Sequence, residues 1–268
     1  MTDAKINSEM WQEIASDEDP FSTQVAICCG FDVYGDILGK ASYFEYLYLL
    51  FKKRRPSKEQ SQALELLSVA LANPGPRDPS VHAAMCAGVG QCHSSAILYA
   101  ALACGSGSYG GGREIFLMAQ SWQDCGNNLD QWLNLLRSPA PPTRESVWPE
   151  CEHPPGFSPY DMQCSLPVLQ TLQVLTTILT SGFVAWLAKN RIALERACGH
   201  PLALTGVAAA TLSELEFTPE ECEIIVLMLR LPGAAAHALE QRQLGFRQFP
   251  YFSLDLTNDP GARGNIDE

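Results

Sequence analysis

The sequence predicts an all-α protein. Three observations carry that expectation. Apolar side chains recur at three- and four-residue spacing over most of the chain, as in Leu166, Leu169, Leu172, Leu175 and Leu179. Two helix starts carry full capping chemistry, Ser57-Lys58-Glu59-Gln60 and Thr218-Pro219-Glu220-Glu221. No strand-type alternation of any length and no internal repeat is found.

Residues 1–20, with Asp17-Glu18-Asp19-Pro20, read as a polar arm, and residues 256–268 as a frayed tail. Residues 43–51 place aromatics and leucines on one helical face. The cap at Ser57 starts a helix that runs to about Ala72. Asn73-Pro74-Gly75-Pro76-Arg77-Asp78-Pro79 ends it. The run 81–104, rich in Ala, Ser and Cys, predicts one or two closely packed helices. A glycine loop at 105–112 precedes a helix from about Arg113 to Trp122. Residues 138–159 hold many prolines and read as irregular. A long helix is expected from about Met162 to Cys198, where Gly199-His200-Pro201 stops it. Residues 202–215 form a small-residue helix, and the last helix starts at Thr218. Trp122, Trp132 and Trp148 read as packing residues.

The chain has 268 residues, 46% hydrophobic and 18% charged, with a net charge of −12. That balance describes a globular protein with a large core and excludes a nucleic-acid partner, because no basic face exists to displace counterions from phosphates. It equally disfavours an anionic membrane surface. The basic run Lys52-Lys53-Arg54-Arg55 reads as a solvated helix end. Residues 162–188 carry no charge and are long enough to span a bilayer, but Gln163, Gln170, Gln173, Thr176, Thr177, Thr180 and Ser181 interrupt them. A buried helix is expected, not a membrane span. Ten cysteines without a Cys-x-x-Cys pair or a secretory signal point to a reduced, cytoplasmic protein. Cys151-Glu152-His153 is the one cluster of ligand-type residues. It lacks a second ligand pair at zinc spacing and reads as a loop. His82 and His93 have no recognisable partner in sequence and read as structural.

Gly105-Ser106-Gly107-Ser108-Tyr109-Gly110 fits a dinucleotide-loop pattern, but a helical Ala/Leu run precedes it where that motif needs a strand. The glycines instead let helices, or a ligand, lie against bare backbone.

Several motifs together carry a family resemblance. Pro155-Gly156-Phe157-Ser158-Pro159 resembles the Pro-Gly-(Tyr/Phe)-Gly-His loop of citrate synthases, with proline in the histidine slot. Ser106-Gly107-Ser108-Tyr109-Gly110-Gly111 resembles the family's Gly-x-x-His-Gly-Gly segment in the form found in the ATP-citrate lyase branch, where an aromatic fills the histidine slot. Gly30-Phe31-Asp32, residues 38–57, and Ala72-Asn73-Pro74-Gly75-Pro76 are similar to further family segments. Arg230-Leu231-Pro232-Gly233 with Ala236-His237-Ala238-Leu239-Glu240-Gln241, then Phe246-Arg247, resemble its C-terminal part. The resemblance runs from about Phe31 to Arg247 and is weakest between Gln123 and Glu150.

The resemblance implies the citrate synthase and citryl-CoA lyase fold. A large helical domain (21–112 and 199–255) would hold an inserted smaller one (113–198), and the chain would form a homodimer. It implies a carboxylic-acid or acyl-CoA ligand, with coenzyme A thioester as substrate and no cofactor required. It also places the family's two catalytic histidines and one aspartate at Tyr109, Pro159 and Leu202. Enolising an acyl-CoA needs a base for the α-proton and a donor for the developing oxyanion, and these positions supply neither in the usual form. Each such loss costs about 10²–10⁴ in rate, so ordinary citrate synthase activity is expected to be absent. Tyr109 is the one catalytic candidate left in that set, as a phenol donor, against a plain packing role. Arg230 and Arg247 align with the family's carboxylate-binding arginines, Arg247 with the one reached across the dimer. Gly110, Gly111, Gly156 and Phe157 would lie near the ligand. Glu150, Glu152, His153 and Asp161 flank the altered loop as candidates for a substitute base. His237 reads as structural. Two functions follow: a diverged enzyme of carbon–carbon bond chemistry, or a non-catalytic partner or structural subunit in a biosynthetic complex.

Overall fold

Residues 8–137 and 153–249 are described by a computed structural model, and within them ten α-helices follow a small N-terminal sheet. The helices are α1 Tyr43–Lys52, α2 Lys58–Leu71, α3 Pro79–Val89, α4 Ser94–Gly105 and α5 Gly112–Cys125. They continue with α6 Leu129–Arg137, α7 Leu166–Ile178, α8 Phe183–Cys198, α9 Leu204–Glu214 and α10 Pro219–Leu244. The caps explain the starts. Ser57 and Thr218 form the expected reciprocal boxes with Gln60 and Glu221, and Ser42 forms a third with Glu45. Asp78 caps α3, with Pro79 at its first turn.

Two expectations need correction. The first concerns strands. β1 (Trp11–Ala15), β2 (Thr23–Cys28) and β3 (Phe31–Asp32) pair antiparallel in that order. Part of the expected N-terminal arm is therefore strand. Every residue of β1 is exposed and only Ala26 and Cys28 of β2 are buried, so no period-two pattern was available to read. The β2–β3 turn did leave a trace. Cys29 and Gly30 both take positive φ, the geometry of a two-residue hairpin turn, and glycine suits it.

The second concerns the long helix, which is two helices broken at residues 179–182. Gly182 has φ +114, and a Cβ there would sit 2.6 Å from Glu214 Oε1. The Glu214 carboxylate accepts from the Val184 N–H at 2.7 Å and so caps α8. Burial raises the Glu214 pKa against that hydrogen bonding.

α10 is the central element, packed against α3, α4 and α5. It is long and apolar enough to cross a membrane, yet it is a core helix in which Cys222, Ile225, Val226, Ala234 and Ala238 are buried. Pro232 lies inside it, and the next N–H, that of Gly233, donates to Ala72 O at 2.8 Å, tying α10 to the end of α2. One apolar cluster runs from Leu47 to Leu229 and includes residues from α5, α7 and α8 as well as α9 and α10. At its far end Trp122 packs on Trp132 and Phe183, both with ring centroids 4.8 Å away, as expected of Trp122 and Trp132. Trp148 lies outside the described residues. The nine described cysteines are unpaired.

Candidate functional site

Glu114 organises the site. It stands in the first turn of α5, directly after the glycine loop, and is 2% exposed. Its Oε1 accepts from the Gly156 N–H at 3.0 Å and the Thr205 hydroxyl at 2.5 Å. Its Oε2 accepts from the Gly110 N–H at 2.5 Å and lies 3.5 Å from His153 Nε2. One carboxylate therefore fastens the loop before α5, residues 153–159, and α9. Burial is the largest influence and pushes the Glu114 pKa up. The bonds from His153, Thr205, Gly110 and Gly156 together outweigh it and hold the pKa below the usual carboxylate value.

Residues 153–159 are pinned on their other side as well. Phe157 and Leu202 form an antiparallel bridge, Ser158 N–H donates to Pro201 O at 2.8 Å, and Ala203 N–H donates to Gly156 O at 3.0 Å. The contact is backbone to backbone. A Cβ on Gly206 would sit 2.4 Å from Gly156 O, and Gly156 itself has φ +84. Leu202 is 1% exposed and lies against Gly206; Pro159 is half-buried at the mouth of the loop.

Arg230 approaches from α10. Its Nη1 donates to Gly110 O at 2.7 Å and its Nη2 lies 3.7 Å from Asp78 Oδ2, while Nε is buried without a partner among the described residues. The guanidinium braces the glycine loop against the cap of α3. Tyr109, two-fifths or more exposed, lays its ring 5.3 Å from that of His153. The structure thus brings Tyr109, Gly110, Gly111, Gly156, Phe157, Pro159, Leu202 and Arg230 to one place. Arg247 is elsewhere, exposed in the 3₁₀ turn Phe246–Gln248, roughly 20 Å further along α10 at 1.5 Å per residue.

His153, 3% exposed, sits between Tyr109 and His200, whose ring is 6.4 Å away. His200 and Pro201 in turn line a cavity of about 460 Å³ with Cys164, Arg191, Glu195 and Arg196. Arg191 donates to both oxygens of Glu195 at 2.8 and 2.6 Å, and Glu195 also accepts from the Leu202 N–H at 3.0 Å. The cavity wall and the altered loop are one hydrogen-bonded unit. Among the described residues no cluster of three His, Cys, Asp or Glu side chains could hold a metal. Of the substitute-base candidates, Glu150 and Glu152 lie outside the described residues, Asp161 is exposed, and His153 is inside. His237 contacts Asn73 and Glu240, consistent with a structural role.

Sequence reasoning missed Glu114 and Glu195. The signal for Glu114 was an acid in the first helical turn after a glycine loop, which also fits ordinary helix-dipole compensation.

No family model matches the sequence, and no curated protein matches it. Solved structures do. A citryl-CoA lyase from Hydrogenobacter thermophilus aligns with TM-score 0.70 at 18% identity, covering 96% of this chain and 98% of that one. An ATP citrate lyase from Methanothrix soehngenii, solved with citrate and coenzyme A, aligns with TM-score 0.67 at 16% identity. That alignment covers 96% of this chain but 43% of the lyase. A citrate synthase from Pyrobaculum aerophilum aligns with TM-score 0.53 at 16% identity over 82% of this chain and 55% of that one.

Proposed function

From the citrate synthase and citryl-CoA lyase fold that this chain adopts, we propose that it binds a carboxylate-bearing acyl-CoA ligand and lacks ordinary citrate synthase activity. The observation that carries this reading is that the segments holding Tyr109, Pro159 and Leu202 are fastened to one buried carboxylate, Glu114, through Gly110, Gly156 and Thr205. Leu202 is sealed at 1% exposure by its bridge to Phe157, so the position that would supply the base presents a packed hydrocarbon. The binding part rests on the cavity beside that bridge. With Arg191 paired to Glu195, Arg196 leaves the wall net positive, which suits a phosphorylated or carboxylated ligand. Its volume is within the range of small-molecule sites. An ATP citrate lyase with this fold was solved with citrate and coenzyme A bound. Arg230 lies outside that cavity, its guanidinium engaged by Gly110 O and Asp78.

A homodimer belongs to the same reading. Neither α3 nor α4 contains Asp, Glu, Lys or Arg, yet both expose surface, including Cys86, Cys104 and a Tyr99 that is 70% exposed. A second copy covering this uncharged face would also explain how an exposed Arg247 could serve a site in the partner. The unpaired cysteines suit a reduced, cytoplasmic setting.

Titration of acetyl-CoA, coenzyme A and citrate into the protein by calorimetry tests the binding claim. Saturable binding of at least one, weakened at least about tenfold (1.4 kcal/mol) by a double Arg191→Ala, Arg196→Ala variant, is expected. No binding of any of the three would defeat it.

A further inference from the structure

Two neighbouring cysteines stand where the N-terminal sheet meets α1. Along a strand, successive side chains point to opposite faces, which keeps adjacent thiols apart. Cys28 and Cys29 escape that rule because they straddle the end of β2. Cys28 closes the strand opposite Phe31, and Cys29 opens the turn with φ +49. The positive φ swings the second side chain towards the first, and the two Sγ atoms lie 4.0 Å apart. Asn, Asp and Gly are the usual residues of that backbone region, so a cysteine there calls for a reason.

The surroundings hold both sulfurs in place. Cys28 is 1% exposed and hydrogen-bonded to the Tyr46 side chain of α1. Cys29 is partly exposed, and its Sγ donates to Leu49 O at 3.7 Å. The Cys29 N–H donates to Met10 O at 2.8 Å and so ties the turn to the chain entering β1. One thiol is therefore open to a reagent from solvent, while its neighbour is sealed from solvent and waits within reach of it.

We propose that Cys28 and Cys29 are a reversible redox modification site, which closes to a disulfide between neighbours when a small-molecule disulfide such as oxidised glutathione is abundant. The thiolate of Cys29 attacks one sulfur of the small disulfide, forming a mixed disulfide and releasing one small thiolate, which takes up a proton. Cys28 then attacks the Cys29 sulfur, its own proton leaves with the second small thiol, and the Cys28–Cys29 bond forms. Two protein thiols are oxidised and one small disulfide is reduced to two thiols. Adjacent Cα atoms are about 3.8 Å apart across a trans peptide, short of the roughly 4.4–6.8 Å that disulfides usually span. The closed ring is therefore strained and easily reduced, as a regulatory bond in a reducing setting must be. Burial, and then Cys28 beside it, raise the Cys29 pKa, so the first attack is slow near neutral pH and the site answers sustained oxidation. Closure also removes the hydrogen that Cys29 Sγ donates to Leu49 O, and with it one tie between the turn and the last turn of α1.

The test treats the native full chain with glutathione disulfide, blocks the remaining thiols with an alkylating reagent, and maps the products by peptide mass spectrometry. In wild type, the peptide carrying both Cys28 and Cys29 should lose two hydrogens, and an excess of reduced glutathione should restore both thiols. In Cys28→Ser, nothing beside Cys29 can release the bound glutathione, so that adduct should accumulate to at least about tenfold its wild-type level. The exposed Cys86 serves as the control for an ordinary accessible thiol. Three results would overturn the proposal: a lasting glutathione adduct on wild-type Cys29 beside a free Cys28, both thiols untouched while Cys86 reacts, or a closed pair that excess reduced glutathione does not open. Should Cys28→Ser not fold, these three wild-type results still decide.

Discussion

Replacing Glu114 by glutamine isolates what its charge and geometry do. The two side chains have the same shape, but glutamine puts an NH₂ where one oxygen stood. If the NH₂ replaces Oε1, it faces the Gly156 N–H and the Thr205 hydroxyl; if it replaces Oε2, it faces the Gly110 N–H and His153. Threonine can rotate its hydroxyl to accept, and histidine can change tautomer. A backbone N–H can do neither, so either orientation leaves one buried amide donor opposed by another. That donor alone costs about 1–3 kcal/mol. The bonds to the remaining oxygen lose their charge assistance, roughly 1 kcal/mol each, while removal of a buried charge offsets part of the loss. The sum is a destabilisation of about 2–4 kcal/mol, or a Tm lowered by about 5–15 °C for a chain of this size. Urea titration should show a lower midpoint at unchanged slope. Hydrogen exchange should quicken first at the Gly110 and Gly156 amides. A Glu114→Gln variant within about 0.5 kcal/mol of wild type, inside the range of ordinary surface substitutions, would refute the claim that this carboxylate fastens the three segments.

Acid should act through the same residue. The folded protein holds the Glu114 pKa below its unfolded value, so its contribution is complete above the unfolded value and is lost as pH falls through the folded one. Stability followed by circular dichroism should decline below about pH 4.5, less steeply in Glu114→Gln; parallel curves would contradict this. Gly206→Ala pushes a methyl group to 2.4 Å from Gly156 O and should cost about 1–3 kcal/mol by forcing the loop off α9; an unchanged Tm would show that the contact is slack. Thiol labelling of the native protein should modify Cys86, Cys92 and Cys104 and spare Cys222, whose thiol burial pushes up to about 12. Labelling of Cys86 and Cys104 should slow as protein concentration rises, and a rate independent of concentration would count against a dimer through α3 and α4.

Much of the architecture was legible because it is written locally. The helical class and the starts at Ser57 and Thr218 follow from spacing and caps within a few residues. The features that were not legible are settled across the chain. The break at residues 179–182 is fixed by Glu214, which belongs to another helix, so the apolar period of Leu166, Leu169, Leu172, Leu175 and Leu179 gave no warning of it. The strands are short and mostly exposed, which leaves no alternation to detect. At the site, the segments around Tyr109, Gly156, Leu202 and Arg230 were visible as motifs, but the residue joining them was not. Glu114 is defined by donors at positions 110, 153, 156 and 205, and only folding brings those together. Arg230 shows the same limit: its alignment suggested a ligand contact, while its Nη1 is used on the Gly110 carbonyl.

The most direct measurement is the rate of citrate formation from oxaloacetate and acetyl-CoA by the purified chain at saturating substrates. With a sealed leucine at 202 and proline at 159, the rate should lie at least about 10⁴-fold below the 1–10³ s⁻¹ of typical enzymes, even where acetyl-CoA binds. Turnover within that range would contradict the account.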